Sequence, residues 1–150
     1  MLIRRATLSD LEAIIGFNAA MARETEGKAL EPSRLRAGVT AVLQREDRGF
    51  YLLAELDGQA VGQLLVTTEW SDWRNGFFWW IQSVYVRPDY RRRGVYRALD
   101  QQVRLEAGRR GDVCGVRLYV DRENLVAQQV YRDLGMAQSR YFMYEIEFGQ

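Results

Sequence analysis

The chain has 150 residues, 47% of them hydrophobic, and a formal net charge of +1. This length and composition predict a single domain over residues 1–150 with a real core, and they exclude a global electrostatic attraction to nucleic acid or to a membrane. The sequence has no histidine and a single cysteine, Cys114. It therefore excludes His-based triads, nearly all zinc sites and an intrachain disulfide, and we expect no metal.

The first half of the chain alternates the apolar patterns of strands and helices. The predicted elements are a strand over 2–6, a helix opened by a capping box at Ser9–Glu12, a polar loop over 25–31, a helix from Pro32, and strands over 50–56 and 59–68. Asp57-Gly58 separates the last two strands, and this dipeptide between apolar runs predicts a tight hairpin.

The second half continues this alternation. The predicted elements are an aromatic loop over 70–76, a strand over 77–86, a helix over 95–107, a loop over 108–115, a strand over 116–120, a helix over 125–134 that Gly135 ends, and an extended segment over 136–148. Trp79 and Trp80 are adjacent in one strand and must face opposite sides, so one of them belongs to the core. This order of elements predicts an α/β protein in which helices cover a mixed sheet.

The most distinctive stretch is the basic turn, Arg91-Arg92-Arg93-Gly94-Val95-Tyr96, which lies where a strand gives way to a helix. Main-chain N–H groups at a helix start are unpaired and the helix dipole is positive there, so the turn suits a polyphosphate. Gly94 allows the backbone to approach a ligand closely. The alternative is a solvated run of arginines, but cations at a helix N-terminus oppose the dipole unless an anion binds.

A second pattern lies in the last predicted helix. Asn124, Ala127 and Tyr131 share one side of it, because seven residues at about 100° each bring Tyr131 to within about 20° of Asn124. A phenol placed there suits a general acid, since tyrosine has a pKa near 10 and a free thiol one near 8.5, close enough for proton transfer. The alternative is an interfacial ring whose hydroxyl is satisfied by the protein.

Both patterns resemble motifs of one family. Arg91-x-x-Gly94-x-Tyr96, after a strand end at Val84–Pro88, resembles the acyl-CoA-binding motif of the GNAT superfamily of N-acyltransferases, Gln/Arg-x-x-Gly-x-Gly/Ala. The run from Asn124 to Gly135-Met136 resembles the family's downstream helix motif, and the likeness in element order and length covers essentially the whole chain. Tyr96 departs from the preferred glycine or alanine. Because main-chain N–H groups form the cradle, we expect binding to survive this departure.

The resemblance implies a central, mostly antiparallel, twisted sheet flanked by about four helices. It also implies an N-acetyltransferase that uses acetyl-CoA and releases coenzyme A. The implied cofactor-binding residues are Val84, Tyr85, Val86, Arg91, Arg92, Arg93, Gly94, Val95, Tyr96, Asn124 and Tyr131. In the family, the strand end pairs with the pantetheine amides and polarises the thioester carbonyl, and the basic turn holds the pyrophosphate. Asn124 would position cofactor or water, and the catalytic Tyr131 would protonate the departing thiolate.

The acceptor is expected to be a primary amine of a small molecule or peptide. This amine would attack the thioester directly in a ternary complex, without a covalent enzyme intermediate. Such an amine must lose a proton before it attacks a thioester. The residues that suit its cationic form are Glu24 and Glu26, in the predicted loop after the first helix, and Glu69, Trp70, Asp72 and Trp73, before the strand over 77–86. The alternative for each carboxylate is a solvated loop position. In the family, both regions border the acceptor pocket.

Two other functions stay open from the sequence alone. One is a non-catalytic acyl-CoA sensor or interaction module on the same scaffold. The other is a nucleotide-phosphate enzyme, although the chain lacks the lysine and Ser/Thr of a phosphate-binding GKS/T loop. The apolar end of the chain either closes the sheet or pairs across a homodimer. No apolar run approaches the roughly 20 residues of a bilayer span, and the first residues have no leader-like pattern, so we expect a cytoplasmic protein.

Overall fold

The computed structural model describes residues 1–149, and within them it contains five strands and four α-helices. The strands are β1 (Leu2–Arg5), β2 (Phe50–Leu56), β3 (Gln59–Ser71), β4 (Gly76–Val86) and β5 (Val113–Arg117). The helices are α1 (Leu11–Glu26), α2 (Pro32–Gln44), α3 (Val95–Arg110) and α4 (Leu125–Asp133). The chain divides into two compact units: residues 1–118, which hold the sheet and the first three α-helices, and the residues from Tyr119 onward, which hold α4.

The five strands form one sheet in the order β1-β2-β3-β4-β5. Each neighbouring pair is antiparallel except β4 and β5, which are parallel because helix α3 crosses over between them. The predicted α/β class and mostly antiparallel sheet are therefore confirmed. The predicted hairpin is confirmed as well: Asp57 (φ 50°) and Gly58 (φ 77°) both adopt the left-handed conformation that a two-residue turn requires.

Helices cover both faces of the sheet. On one face, α3 packs its apolar side, from Val95 to Ala107, onto a cluster that includes the fully buried Leu52 and Trp79. On the other face, α1 and α2 bury a smaller cluster that includes Ile14 and Val39. Trp79 is the tryptophan that belongs to the core, and Trp80 faces the opposite side, as the alternation of side chains along a strand demands.

Several element boundaries differ from the sequence prediction. Helix α3 does not end at Gly108 but continues to Arg110, where Gly111 (φ 76°) takes the left-handed conformation that closes a helix. Strand β5 accordingly starts at Val113, beside Phe77, rather than at Val116. The predicted capping box also moves: the Asp10 carboxylate accepts a hydrogen bond from the Thr7 backbone N–H at 2.8 Å, so the box belongs to the short turn before α1.

The end of the described chain differs more. The sequence predicts an extended last strand over 136–148, but residues 137–149 form neither helix nor strand. The predicted last strand is therefore wrong for these residues. In residues 1–149, no helix is both long enough and apolar enough to cross a lipid bilayer.

Candidate functional site

The basic turn lies between β4 and α3 in an open conformation. Arg92 (φ 65°) and Gly94 (φ 77°) both adopt left-handed backbone angles, and the arginines from Arg91 to Arg93 are exposed. No side chain caps the N-terminus of α3. A Cβ atom at Gly94 would meet no heavy atom within 4 Å, so the space above the turn is open. The turn thus combines a helix start that lacks a side-chain cap with positive charge, which is what an anion needs.

Tyr96, the departure from the expected motif, does not crowd this space. Its ring is half-buried and packs against the core cluster beneath α3. The side chain therefore lies on the interior side of the helix. The space above Gly94 stays open beside this ring.

Strand β4 has an open edge beside the basic turn. Its pairing with β5 runs from Phe77 only to Trp80, although β4 continues to Val86. Within residues 1–149, no strand pairs with residues 81–86 on this side. This edge at Val84, Tyr85 and Val86 is therefore open to an extended ligand, which can pair with it as an added strand would, although the Val86 carbonyl already accepts a hydrogen bond from Arg91 Nε at 2.8 Å.

A bulge shapes this open edge. Ser83 (φ 50°) lies in the left-handed region, and β4 holds an extra residue opposite the step from Gln63 to Leu65 in β3. The fully buried Gln63 fixes the bulge, because its Nε2 donates to the Ser83 carbonyl at 3.0 Å and to Oδ1 of Asn18 at 3.3 Å. The sequence analysis missed this group. The sequence did contain an indication of it: Gln63 is the one polar residue in the run over 60–66, and the other six residues are alanine, glycine, valine or leucine.

Glu24 lies beside the basic turn, and this was not foreseen. Its Oε2 accepts a hydrogen bond from Arg91 at 2.7 Å, and its Oε1 accepts one from the Tyr85 hydroxyl at 3.2 Å. The Arg91 guanidinium lowers the pKa of Glu24, while burial, together with the charge of Glu24, raises the pKa of Tyr85. The predicted loop position of Glu24 and Glu26 is wrong, because helix α1 continues to Glu26.

Of the two glutamates, only Glu24 reaches the open edge of β4 through a hydrogen bond. Glu26 lies 4.0 Å from the Lys28 ammonium group, at the limit of an ion pair. The structure thus separates two residues that the sequence treated alike.

The second predicted acceptor region is a hairpin, not a loop. Glu69 and Trp70 belong to strand β3, and only Asp72 and Trp73 lie in the turn over 72–75. The strands extend this far because Glu69 pairs with Phe78 and Trp70 with Phe77 across the sheet, and cross-strand aromatic contacts stabilise such pairs.

The carboxylates of this hairpin already have partners. Oε1 of Glu69 accepts a hydrogen bond from Trp80 Nε1 at 2.7 Å and forms an ion pair with Arg117 at 3.3 Å. Asp72 accepts the backbone N–H of Trp73 at 2.9 Å, while the Trp73 ring is 89% exposed. Trp80 and Tyr85 lie on the same face of β4. Their partners in β3, Thr67 and Gln63, are four residues apart, and residues an even number apart in a strand face the same side.

Helix α4 positions the two residues of the second motif. Asn124 is the N-cap, and its Oδ1 accepts the Ala127 backbone N–H at 3.1 Å. Tyr131 is half-buried, and burial raises the pKa of its phenol. Gly135 (φ 87°) follows the end of the helix in the left-handed conformation, as predicted. Asn124 therefore has a structural task that the sequence analysis did not assign, and the cap leaves its Nδ2 group for other contacts.

The acetyltransferase (GNAT) family model matches residues 17–136. The chain belongs to the GNAT family of acetyltransferases. The match includes the second half of α1 with Glu24, the open edge of β4, the basic turn and helix α4. It ends where the last helix has been closed by Gly135, just before the residues that form neither helix nor strand.

Solved structures agree with this assignment. The crystal structure of a possible acetyltransferase from Clostridium difficile 630 is 42% identical to this chain, with a TM-score of 0.93 over 99% of this chain and 98% of that one. Ribosomal-protein-alanine N-acetyltransferase from Brucella melitensis biovar Abortus 2308 shares the fold at 20% identity, with a TM-score of 0.80 over 99% and 100% of the two chains. No curated protein matches the chain.

A further GNAT-fold structure contains a relevant ligand. AAC(6')-Iy in complex with the bisubstrate analog CoA-S-monomethyl-acetylneamine is 21% identical to this chain, with a TM-score of 0.78 over 98% of each chain. GNAT enzymes use acetyl-CoA as co-substrate and act on amine acceptors. This GNAT protein is therefore an acyltransferase, and in residues 1–149 no three acidic, cysteine or histidine side chains group as metal ligands would.

Proposed function

We propose that this acetyltransferase moves the acetyl group of acetyl-CoA to a primary amine of a small molecule or peptide, by direct attack in a ternary complex. One observation carries the proposal: the open edge of β4 leads directly into the uncapped, arginine-rich start of α3. We also propose that residues 1–150 act as one domain. The family match supports this, because it runs across both compact units.

The residues of this chain fit the cofactor. The main chain of Val84, Tyr85 and Val86 can pair with the two amides of pantetheine in the manner of an added strand. The residues that would hold the diphosphate are Arg91, Arg92, Arg93, Gly94, Val95 and Tyr96. The arginines are exposed, a Cβ at Gly94 would meet open space, and the missing side-chain cap on α3 leaves the anion position to a ligand.

Proton transfers complete the proposed reaction. When bound, acetyl-CoA supplies an acetyl thioester whose carbon–sulfur bond breaks as the amine nitrogen bonds to the acetyl carbon. The Tyr131 phenol gives its proton to the sulfur and regains one from solvent, while the amine loses a proton to a carboxylate or to water. Burial raises the pKa of Tyr131, which keeps the phenol protonated at neutral pH. The Nδ2 group of Asn124 would orient cofactor or water.

The test begins with calorimetric titration of the protein with acetyl-CoA. Binding is expected, and no binding at millimolar ligand would overturn the proposal.

Turnover is then measured as thiol release with a panel of amines. Tyr131→Phe should lower turnover by about 100-fold or more with unchanged cofactor affinity, because a general acid acts only in the transition state. Tyr144→Phe, on an exposed ring, is the matched control and should keep full turnover. Unchanged turnover in Tyr131→Phe would refute the acid role. Binding without transfer to any amine would favour the sensor function.

A further inference from the structure

An ion pair joins the two halves of the proposed site. Arg91 comes from the basic turn, which is proposed to hold the cofactor, and Glu24 comes from the last turn of α1, which the family resemblance places beside the acceptor. Their charged groups are 2.7 Å apart. The two residues are 67 positions apart in the sequence, so the fold and not local geometry brings them together.

Other contacts hold both partners in place. Nε of Arg91 donates to the Val86 carbonyl at 2.8 Å, and its guanidinium lies 5.6 Å from the centre of the Tyr85 ring. Tyr85 in turn donates its hydroxyl to Glu24 at 3.2 Å. The whole group of residues is thus at the end of the open edge of β4, where the proposed cofactor passes from the strand to the basic turn.

Glu24 and a diphosphate are both anions that a guanidinium stabilises. Arg91 holds Glu24 at 2.7 Å, and it also belongs to the turn that would hold the diphosphate. We propose that the cofactor diphosphate competes with Glu24 for Arg91, so that Glu24 becomes available to the ammonium group of the acceptor only after the cofactor has bound. This inference rests on the proposed function and deepens it, because it assigns the acceptor-side carboxylate and an order of binding.

The charges explain why the order matters. While Arg91 is paired with Glu24, an incoming ammonium group meets a neutralised carboxylate with a guanidinium beside it, and like charges repel. Once Arg91 pairs with the diphosphate instead, the negative charge of Glu24 is no longer neutralised and attracts a cation. The pKa of Glu24, which Arg91 lowers, rises at the same time, so the carboxylate becomes a better acceptor for the proton that the amine must lose.

The decisive experiment measures the affinity of the full chain for coenzyme A by calorimetry. Glu24→Gln removes the competing anion and should tighten coenzyme A binding by about two- to fivefold, the range that an exposed ion pair is worth. Glu26→Gln is the matched control, because it removes the same charge from the same helix turn without touching Arg91, and it should change the affinity less than twofold. A Glu24→Gln variant that binds coenzyme A as weakly as the wild type, or more weakly, overturns the inference and makes the pair a structural tie.

A double-mutant cycle excludes a general charge effect. In an Arg91→Gln background, Glu24→Gln should leave the coenzyme A affinity unchanged, because Glu24 and the diphosphate no longer share a guanidinium at this position. An equal gain in both backgrounds contradicts the competition. With an amine found by the thiol-release panel, Glu24→Gln should raise KM for the amine and lower KM for acetyl-CoA, two opposite movements that a merely structural role would not produce. If the wild type fails to bind coenzyme A, the proposed function fails, and that outcome differs from every outcome named for the variant.

Discussion

Helices α3 and α4 begin in opposite ways. Asn124 caps α4 by accepting the Ala127 backbone N–H, so the chain itself satisfies part of that N-terminus. No side chain caps α3, which starts at a left-handed Gly94 after three consecutive arginines. A helix start without a cap leaves orphan N–H groups, and arginines beside it add repulsion to the dipole.

The difference shows how one chain can assign different tasks to the same local structure. Helix α2 supports this comparison, because the Glu31 carboxylate accepts the backbone N–H groups of Ser33 and Arg34 at its start. At α2 and α4 a side-chain oxygen completes the helix start. At α3 the missing acceptor is an anion from outside the chain, and this is the physical basis of the proposed diphosphate site.

The largest effect is expected when α3 receives a carboxylate of its own. Gly94→Asp places a negative charge where the diphosphate would bind, and like charges brought together in a binding site cost several kcal/mol. We expect the coenzyme A affinity to fall by about 100-fold or more, measured by calorimetry. The fold should survive, because a Cβ at Gly94 meets no atom within 4 Å.

The matched control is at the other end of the same helix. Gly111 has nearly the same backbone angle as Gly94, φ 76° against 77°, and the same open space around its Cβ position. Gly111→Asp therefore carries the same backbone strain and the same charge, but away from the basic turn, and it should leave the coenzyme A affinity within about twofold of the wild type. Equal losses in the two variants would mean that strain, not anion binding, explains the effect.

Variants of Asn124 separate its role as the cap of α4 from its proposed role toward cofactor or water. Asn124→Ala removes the cap and should lower the free energy of unfolding, measured by urea denaturation, by about 1 kcal/mol. Asn124→Asp keeps an oxygen for the Ala127 N–H and replaces only the Nδ2 donor, so it should retain this stability while lowering turnover several-fold. If Asn124→Asp has full turnover, the residue is a cap and has no part in positioning cofactor or water.

The sequence predicted features that depend on neighbouring residues. The Asp57-Gly58 hairpin, the burial of one of two adjacent tryptophans and the helix end at Gly135 follow from local backbone chemistry. Where two residues of one type compete locally, the prediction was wrong: Gly108 and Gly111 offer the same signal for a helix end, and the contact of Val113 with β4 favours the later one.

Contacts between distant residues were out of reach. Glu24 and Tyr85 are 61 residues apart, and Gln63 and Asn18 are 45 apart. Neither pair has a periodic pattern, because each side chain is positioned by a different element and the polar contact forms only when α1 packs on the sheet. The candidate site could therefore be predicted where one strand–turn–helix unit forms it, and not where two elements meet.

The smallest expected effect separates backbone conformation from charge at the basic turn. Arg92 holds a left-handed angle of φ 65° that suits glycine, so Arg92→Gly should raise the free energy of unfolding by about 0.5 kcal/mol, the excess of relieved strain over added chain entropy. The same change should weaken coenzyme A binding by about two- to fivefold, because one exposed charge is lost.

Two control variants separate these effects. Arg92→Ala should weaken binding equally without raising the free energy of unfolding. Asn75→Gly, at φ 49° in the hairpin turn, should raise the free energy of unfolding without weakening binding. Since exposed charges are screened within about 3 Å at 1 M salt, the affinity difference between Arg92→Gly and the wild type should vanish there. A difference that persists at high salt means that the backbone conformation of Arg92, rather than its charge, shapes the site.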